Sequence, residues 1–504
     1  MIQLTLGEVA TIVGGELAGG ALADTPVTGT VEFDSRKITP GGLFLALPGA
    51  QVDGHEFAAT AVGNGAVAVL AAREVDAPSV LVPPVGRSDS NADIYANDPD
   101  GHGAAVIEAL SRLARHVVDT SVSEHSLDVV ALTGSAGKTS TKDFIATVLS
   151  MAGDTVAPPG SFNNEVGLPY TALRCTEATR YLVSEMSARG IGHIAHLARI
   201  TPPRIGAVLN VGSAHLGEFG SRANIAQAKG ELIEALPAAA EGGVAVLNAD
   251  DPFVANMAPR TRARVVTFST ATPPAKGADY WATDLILDDV ARASCTLHTR
   301  TGSWPVALQV FGEHQVSNAL AAAAVTIEAG VDESTVVSGL SSHAAASAHR
   351  MDVRTREDGV TIINDAYNAN PDSMRAGIAA LAYTASARQD SQSFAVLGQM
   401  GELGDEAGEE HRALGAELAK YHIERLITVG DNPNCRALGE QAAALGVITT
   451  AVPDTDSAVE LLRHQVRKGD VVLVKASNAD QLWRVAEGLH AKFDGEPRRN
   501  VEGI

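Results

Sequence analysis

Short apolar runs recur along most of the chain, separated by polar turns and by longer stretches with helical spacing. In the first hundred residues VTGTVEF and GLFLALPG read as strands, FAATAVGNGAVAVLA as a helix and SVLVPP as another strand, which together make a small α/β unit. The segment from Val85 to Gly103, rich in Gly, Asp and Asn, reads as a linker, and a helix is expected over Ala104 to Val118. From there to about Ala348 the runs YLVSEM, IGAVLNV, GVAVLNA and RVVTFS alternate with helical segments, the pattern of a parallel sheet covered by helices. After Arg350, GVTIINDAY, SFAVLGQ, RLITVG and DVVLVKAS alternate with helices such as SAVELLRHQVRKG and predict a Rossmann-like domain. That last part has no Gly-x-Gly-x-x-Gly, so a dinucleotide is not implied. At 504 residues the chain exceeds one hydrophobic core. The expected fold class is α/β in three domains, 1–101, 102–347 and 348–504: a small α/β domain, a central phosphate-loop domain with a mostly parallel sheet, and a C-terminal Rossmann-like domain.

One stretch changes this from architecture to chemistry. LDVVALTGSAGKTSTKDF, from Leu127 to Phe144, is an apolar strand, a glycine-bearing turn and a helix start. Backbone N–H groups of Gly134, Ser135, Ala136, Gly137 and Ser140 can cradle phosphate oxygens, Lys138 can reach the β/γ-phosphates, and the Thr139 hydroxyl can ligate Mg2+. ATP or GTP is the ligand this order predicts. Leu132 stands where the usual motif has its first glycine, so the turn is a shortened variant. Glu185 ends the run YLVSEM and His215 follows IGAVLNV, and ligands of parallel sheets sit at such carboxyl ends. A carboxylate and an imidazole suit Mg2+ only within a partly hydrated shell. On the residues alone, Glu185 reads equally as a solvated helix cap, His215 as a loop residue, and Lys229 in IAQAKGELIEAL as a solvent-facing lysine.

Composition narrows the partners. A formal net charge of -22 disfavours nucleic acid and anionic membrane, so anionic substrates must be met by local Lys, Arg and Mg2+. Cys175, Cys295 and Cys435 are far apart with no CxxC pair, which argues against a zinc site or a disulfide framework and for a reducing cytoplasm. The beginning MIQLTLGEVATIVGG has no basic segment leading into a long apolar run, and no uninterrupted apolar stretch long enough for a membrane span occurs elsewhere.

Across its length the chain resembles the Mur ligase family of ATP-dependent amide-forming enzymes of peptidoglycan precursor synthesis. The motifs that carry this are TGSAGKTS, SEMSARG, NVGSAHLGEFGS with Asn210 and His215, AKGEL, GEHQVSNALAAA, and Arg350 followed by NDAYNANPDSM. The resemblance implies Lys138, His215 and Lys229 as catalytic groups, with Lys229 as the lysine the family carbamylates. It implies two Mg2+ sites on Thr139, Glu185, His215 and carbamylated Lys229. Adenine would be met by His314, Asn318 and Tyr367, the ribose by Asp365, and the hinge would lie at Arg350. FDSRKITPGGLFLALPGAQVDGHEF, FNNEVGLP and GQMGELGDE resemble the branch that joins D-alanyl-D-alanine to UDP-N-acetylmuramoyl-tripeptide. Ser35, Arg36 and His55 would then hold the UDP part, and Asn163, Asn164 and Glu165 the muramoyl-peptide. The same resemblance implies a cytoplasmic monomer that binds neither nucleic acid nor membrane.

Two departures stand out: Gln315 where asparagine is common, and VKASN at Val474 to Asn478 where Lys-Gly-Ser-Arg is frequent. They leave the recognition of the dipeptide open. Rival readings are a sibling ligase adding a single amino acid, a folyl-polyglutamate synthetase, or a nucleotide-dependent switch. DSR…DGH favours a UDP-linked acceptor over folate, and separate metal-site candidates argue against a switch.

Overall fold

The computed structural model describes residues 1–49, 52–86, 95, 98–212, 216–344, 347–388 and 390–490. Its centre is a nine-stranded sheet. In spatial order the strands are Ser303–Phe311, Arg292–His298, Tyr280–Leu287, Arg264–Ser269, Val244–Asn248, Ile205–Val208, Asp128–Thr133, Tyr181–Glu185 and Thr155–Val156. All pairings from Thr155–Val156 across to Tyr280–Leu287 are parallel; the last two, through Arg292–His298 to Ser303–Phe311, are antiparallel. The parallel strands are apolar on both faces because helices cover both. On one face Phe144, Val148 and Leu149 pack with Val316, Leu320 and the alanines 321–324, so the alanine run is core packing. The antiparallel extension was not anticipated. Its outer strand alternates exposed and buried residues, the pattern of a half-solvated sheet edge.

The first unit has a five-stranded sheet in the order Glu16–Ala18, Ser79–Leu81, Ala66–Ala71, Gly42–Leu45 and Val31–Glu32. Here the sequence reading needs correction: FAATAVGNGAVAVLA is not one helix. A helix over Ala58–Gly63 stops at Asn64–Gly65, where Gly65 takes φ +117, and Ala66–Ala71 becomes a buried central strand. Alternating valines in an apolar run suit a strand buried on both faces, and periodicity cannot tell such a run from a buried helix.

The helix expected over Ala104 to Val118 runs from His102 to Glu124. Asp98 caps its start, its two carboxylate oxygens accepting from the amides of Gly103 (2.9 Å) and Ala104 (2.8 Å). Leu110, Leu113 and Val117 on this helix share one apolar core with Leu43 and Leu70 of the first sheet and Leu182 and Leu232 of the central unit. The helix thus joins the two units.

The C-terminal sheet is six-stranded, in the order Asp352–Thr355, Thr361–Asn364, Val471–Lys475, Ser393–Leu397, Arg425–Val429 and Ile448–Val452. All but the first pairing are parallel, the doubly wound arrangement expected of a Rossmann-like domain. The strands Asp128–Thr133, Tyr181–Glu185 and Val471–Lys475 end towards one interdomain cleft.

Candidate active site

The turn after Asp128–Thr133 is shaped by Gly137, whose φ of +80 precedes the helix Lys138–Ala152. A side chain there would also collide with Asn318, whose Oδ1 lies 2.4 Å from where a Cβ would stand. Asn210, just past the strand Ile205–Val208, fixes the turn from the side. Its carbonyl accepts from the Ser135 amide (3.1 Å), its Oδ1 from the Ala136 amide (2.9 Å), and its Nδ2 donates to the Ala136 carbonyl (3.1 Å). Lys138 folds back so that Nζ donates to the Gly134 carbonyl at 2.7 Å. Burial lowers the Lys138 pKa and Arg350 adds to this, while Glu185 and Glu402 oppose it.

Thr139 is buried, and its Oγ1 lies 3.0 Å from Ser161 Oγ and donates to Glu185 Oε1 at 3.3 Å. Asn163 Nδ2 donates to the same oxygen at 2.7 Å. The other carboxylate oxygen of Glu185 is buried and, among the described residues, has no hydrogen-bond partner. An orphaned anionic oxygen beside a threonine hydroxyl is an all-oxygen donor set of the kind Mg2+ takes. Lys229, on the helix Arg222–Glu234, is 3% exposed, so it is not the solvent-facing lysine the residues alone allowed. Its pKa is pushed well below the ordinary value by burial and then by the charge of Lys138. His215 lies outside the described residues.

On the opposite wall Arg350 NH2 donates to Ser161 Oγ at 2.6 Å, and its guanidinium stacks over Tyr367 with 4.2 Å to the ring centroid. Arg350 Nε is buried without a hydrogen-bond partner among the described residues. Asp365 accepts from the Met351 amide (3.1 Å) and from Lys475 Nζ (2.6 Å). Lys475, 1% exposed, also donates to the Asn368 carbonyl at 2.8 Å, so it ties the NDAYNAN turn to the sheet. Sequence reasoning did not name Lys475. Its signal was there, since a lysine ending the buried run VVLV stands where ligands of parallel sheets gather. Gln315 accepts from Asn318 Nδ2 at 2.9 Å, so the longer amide is absorbed by pairing within its own helix. Crowding by both domains lowers the pKa of His314 although its side chain still meets solvent.

These groups line one cleft of about 850 Å3 between the central and C-terminal units. Of the residues nominated from sequence it contains Ser135 to Ser140, Asn163, Asn164, Glu165, Glu185, His314, Asn318, Arg350, Asp365 and Tyr367. Gly134 and Lys229 lie behind its wall. Asn164 is largely occupied, its Oδ1 accepting from the Gly167 amide at 2.9 Å, and Glu165 faces His193 at 3.9 Å.

The first unit is arranged differently. Arg36 is 85% exposed and paired bidentately with Asp34, whose carboxyl that pairing pulls down to about 2. Ser35 is buried and accepts from Asn64 Nδ2 through its carbonyl at 2.9 Å. His55 is turned inward: Nδ1 lies 2.7 Å from Asp53 Oδ1, and Nε2 accepts from the Ala72 amide at 3.4 Å. None of the three lines the cleft. The segment carrying them nevertheless meets the muramoyl-peptide candidate FNNEVGLP, because Tyr170 stacks against Phe33 (5.2 Å) and Phe162 (5.6 Å) and donates to Glu32 at 3.0 Å.

A phosphate turn, a buried acidic pair of donors and a hinged Rossmann-like wall around one cleft define an ATP-dependent α/β enzyme that joins substrates held by separate domains. The chain belongs to the Mur ligase family: residues 29–117 match its catalytic domain, 132–326 its middle domain and 349–478 its glutamate ligase domain. It is similar to the UDP-N-acetylmuramoyl-tripeptide–D-alanyl-D-alanine ligase of Mycobacterium tuberculosis, with 51% identity over 97% of this chain and 98% of the relative. The ligase of the same name from Escherichia coli is 35% identical over 97% of this chain and 99% of its own. Among solved structures, MurF from Acinetobacter baumannii superposes with a TM-score of 0.81 at 28% identity, covering 97% of this chain and 99% of that one. MurF ligase from Thermotoga maritima in complex with ADP gives 0.72 at 30% identity, covering 92% and 97%.

Proposed function

We propose that this enzyme joins D-alanyl-D-alanine to UDP-N-acetylmuramoyl-tripeptide at the expense of ATP. The full-length likeness to ligases of that name supports the substrates, and the orphaned Glu185 oxygen beside Thr139 and Lys138 supports the chemistry. A carboxylate oxygen of the tripeptide attacks the γ-phosphorus of ATP, the bond to the β-phosphate oxygen breaks, and ADP leaves an acyl phosphate. The dipeptide amine then attacks the acyl carbon, loses a proton, and expels inorganic phosphate as the amide forms. No enzyme nucleophile takes part. The cleft acts by position and charge: the turn amides and Lys138 hold phosphate oxygens, and Arg350 and Lys475 brace the opposing wall. Closure of that wall excludes water from the acyl phosphate.

Thr139 and Glu185 would hold one Mg2+, with His215 and Lys229 toward a second; the ions supply charge neutralisation of the transferring phosphoryl. The low pKa of Lys229 favours the neutral amine, the form that takes up carbon dioxide, and a carbamate there would replace a cation crowded by Lys138 with an anionic oxygen donor. His314, Asn318 and Tyr367 would surround adenine, Asp365 the ribose, and Ser35, Arg36 and His55 the UDP region, His55 by supporting its loop. Asn163, Asn164 and Glu165 would border the peptide. The working units divide near residues 101 and 348, and the enzyme works as a cytoplasmic monomer; no described helix is long and apolar enough to cross a membrane. Phosphate release measured with the tripeptide acceptor tests the reading. It should require D-alanyl-D-alanine, and a requirement for one amino acid instead would replace it with the sibling ligase.

A further inference from the structure

The loop after the strand Ser393–Leu397 carries Glu402, a residue with φ +63. A non-glycine residue held there costs on the order of 1–3 kcal/mol, and such positions gather at functional sites. The loop is clamped to the central unit by backbone alone. The Glu402 carbonyl accepts from the Gly217 amide at 3.3 Å, and a Cβ on Gly217 would stand 2.5 Å from the Gly404 nitrogen. That clamp fixes the Glu402 side chain on the C-terminal wall of the cleft, which it lines together with Lys138, Glu185 and Ser477. Its charge is felt at Lys138.

A glycine or asparagine would fit the left-handed turn at lower cost, so the carboxylate itself is what the position supplies. Its charge suits one reactant. ATP and the tripeptide both bring anions to the reacting centre, and a carboxylate facing either would repel it. The dipeptide alone brings a cation, its terminal ammonium, which has to wait beside the acyl group as that group is activated. We infer that Glu402 is a positioning residue that receives the ammonium of the incoming dipeptide across the cleft from the phosphate turn. This rests on the ligase reading above.

The experiment is steady-state kinetics of the full-length enzyme and of Glu402→Gln and Glu402→Gly, the latter relieving the left-handed backbone. D-lactyl-D-alanine, with hydroxyl in place of ammonium, serves as competing inhibitor. One charged hydrogen bond should raise the dipeptide KM about ten- to a hundredfold in both variants, with the ATP KM within about twofold and inhibition by the hydroxyl analogue unchanged. An unchanged dipeptide KM, or a rise confined to ATP, would overturn the inference. So would wild-type enzyme that binds the hydroxyl analogue as tightly as the dipeptide, a result that needs no variant to fold. Wild type showing no dipeptide-dependent phosphate release would instead remove the ligase reading, and the inference with it.

Discussion

Glu185 and Arg36 show how differently two walls of this enzyme hold their candidate side chains. Glu185 is 1% exposed and bonded to Thr139 and Asn163, while Arg36 reaches into solvent with only Asp34 as partner. Around the phosphate turn nearly every polar group has a fixed neighbour before any ligand arrives, so charge stabilisation there requires little reorganisation. The first unit has committed its buried groups, Ser35 and His55, to its own loops and left the exposed ones to adapt. The contrast teaches that phosphoryl transfer is built into the rigid part of the molecule, and recognition of the long acceptor into a surface that moulds to it.

The contrast is broken most severely at Lys138. Lys138→Ala should lower ATP-dependent phosphate release about a thousandfold or more, because the transferring group loses its nearest fixed cation. Near-normal release would show that the wall is not preorganised for phosphate. Lys229→Ala should slow turnover about a hundredfold and recover partly with added short carboxylates, and an unimpaired variant would make the buried lysine a passive core residue. Lys475→Met leaves Asp365 without its cation and should lower the unfolding free energy by about 3 kcal/mol in a urea titration, with a higher ATP KM. Equal stability would mean the hinge does not depend on that pair. The smallest effect belongs to the adaptable wall: Arg36→Ala should raise the KM for the UDP-linked acceptor a few-fold, leaving the melting temperature and the ATP KM alone. A large loss of ATP affinity in that variant would erase the distinction.

The same contrast governs what could be read from the sequence. The phosphate turn was legible because its chemistry demands backbone geometry, and Gly137 with Lys138-Thr139 after an apolar strand leaves few alternatives. Glu185 was placed at its strand end, but neither its orphaned oxygen nor the burial of Lys229 follows from spacing, because both depend on contacts across the fold. Lys475 was passed over for a local reason: its role comes from Asp365, which lies 2.6 Å away in space but a strand and several helices away in the chain. The helix misread over FAATAVGNGAVAVLA failed because alanine-rich apolar runs satisfy either period, and only the turn at Asn64–Gly65 decides between them. The His55 signal was ambiguous in another way, since a histidine beside aspartate fits a ligand site and a buried loop brace equally well.

The central claim is that the cleft activates the acceptor's own carboxylate as an acyl phosphate. It is tested most directly by labelling that carboxylate with oxygen-18 and following the label through one turnover with ATP and D-alanyl-D-alanine. The account predicts that one labelled oxygen leaves in the released phosphate while the other remains in the new amide. Phosphate free of label, formed together with the ligated product, would contradict it.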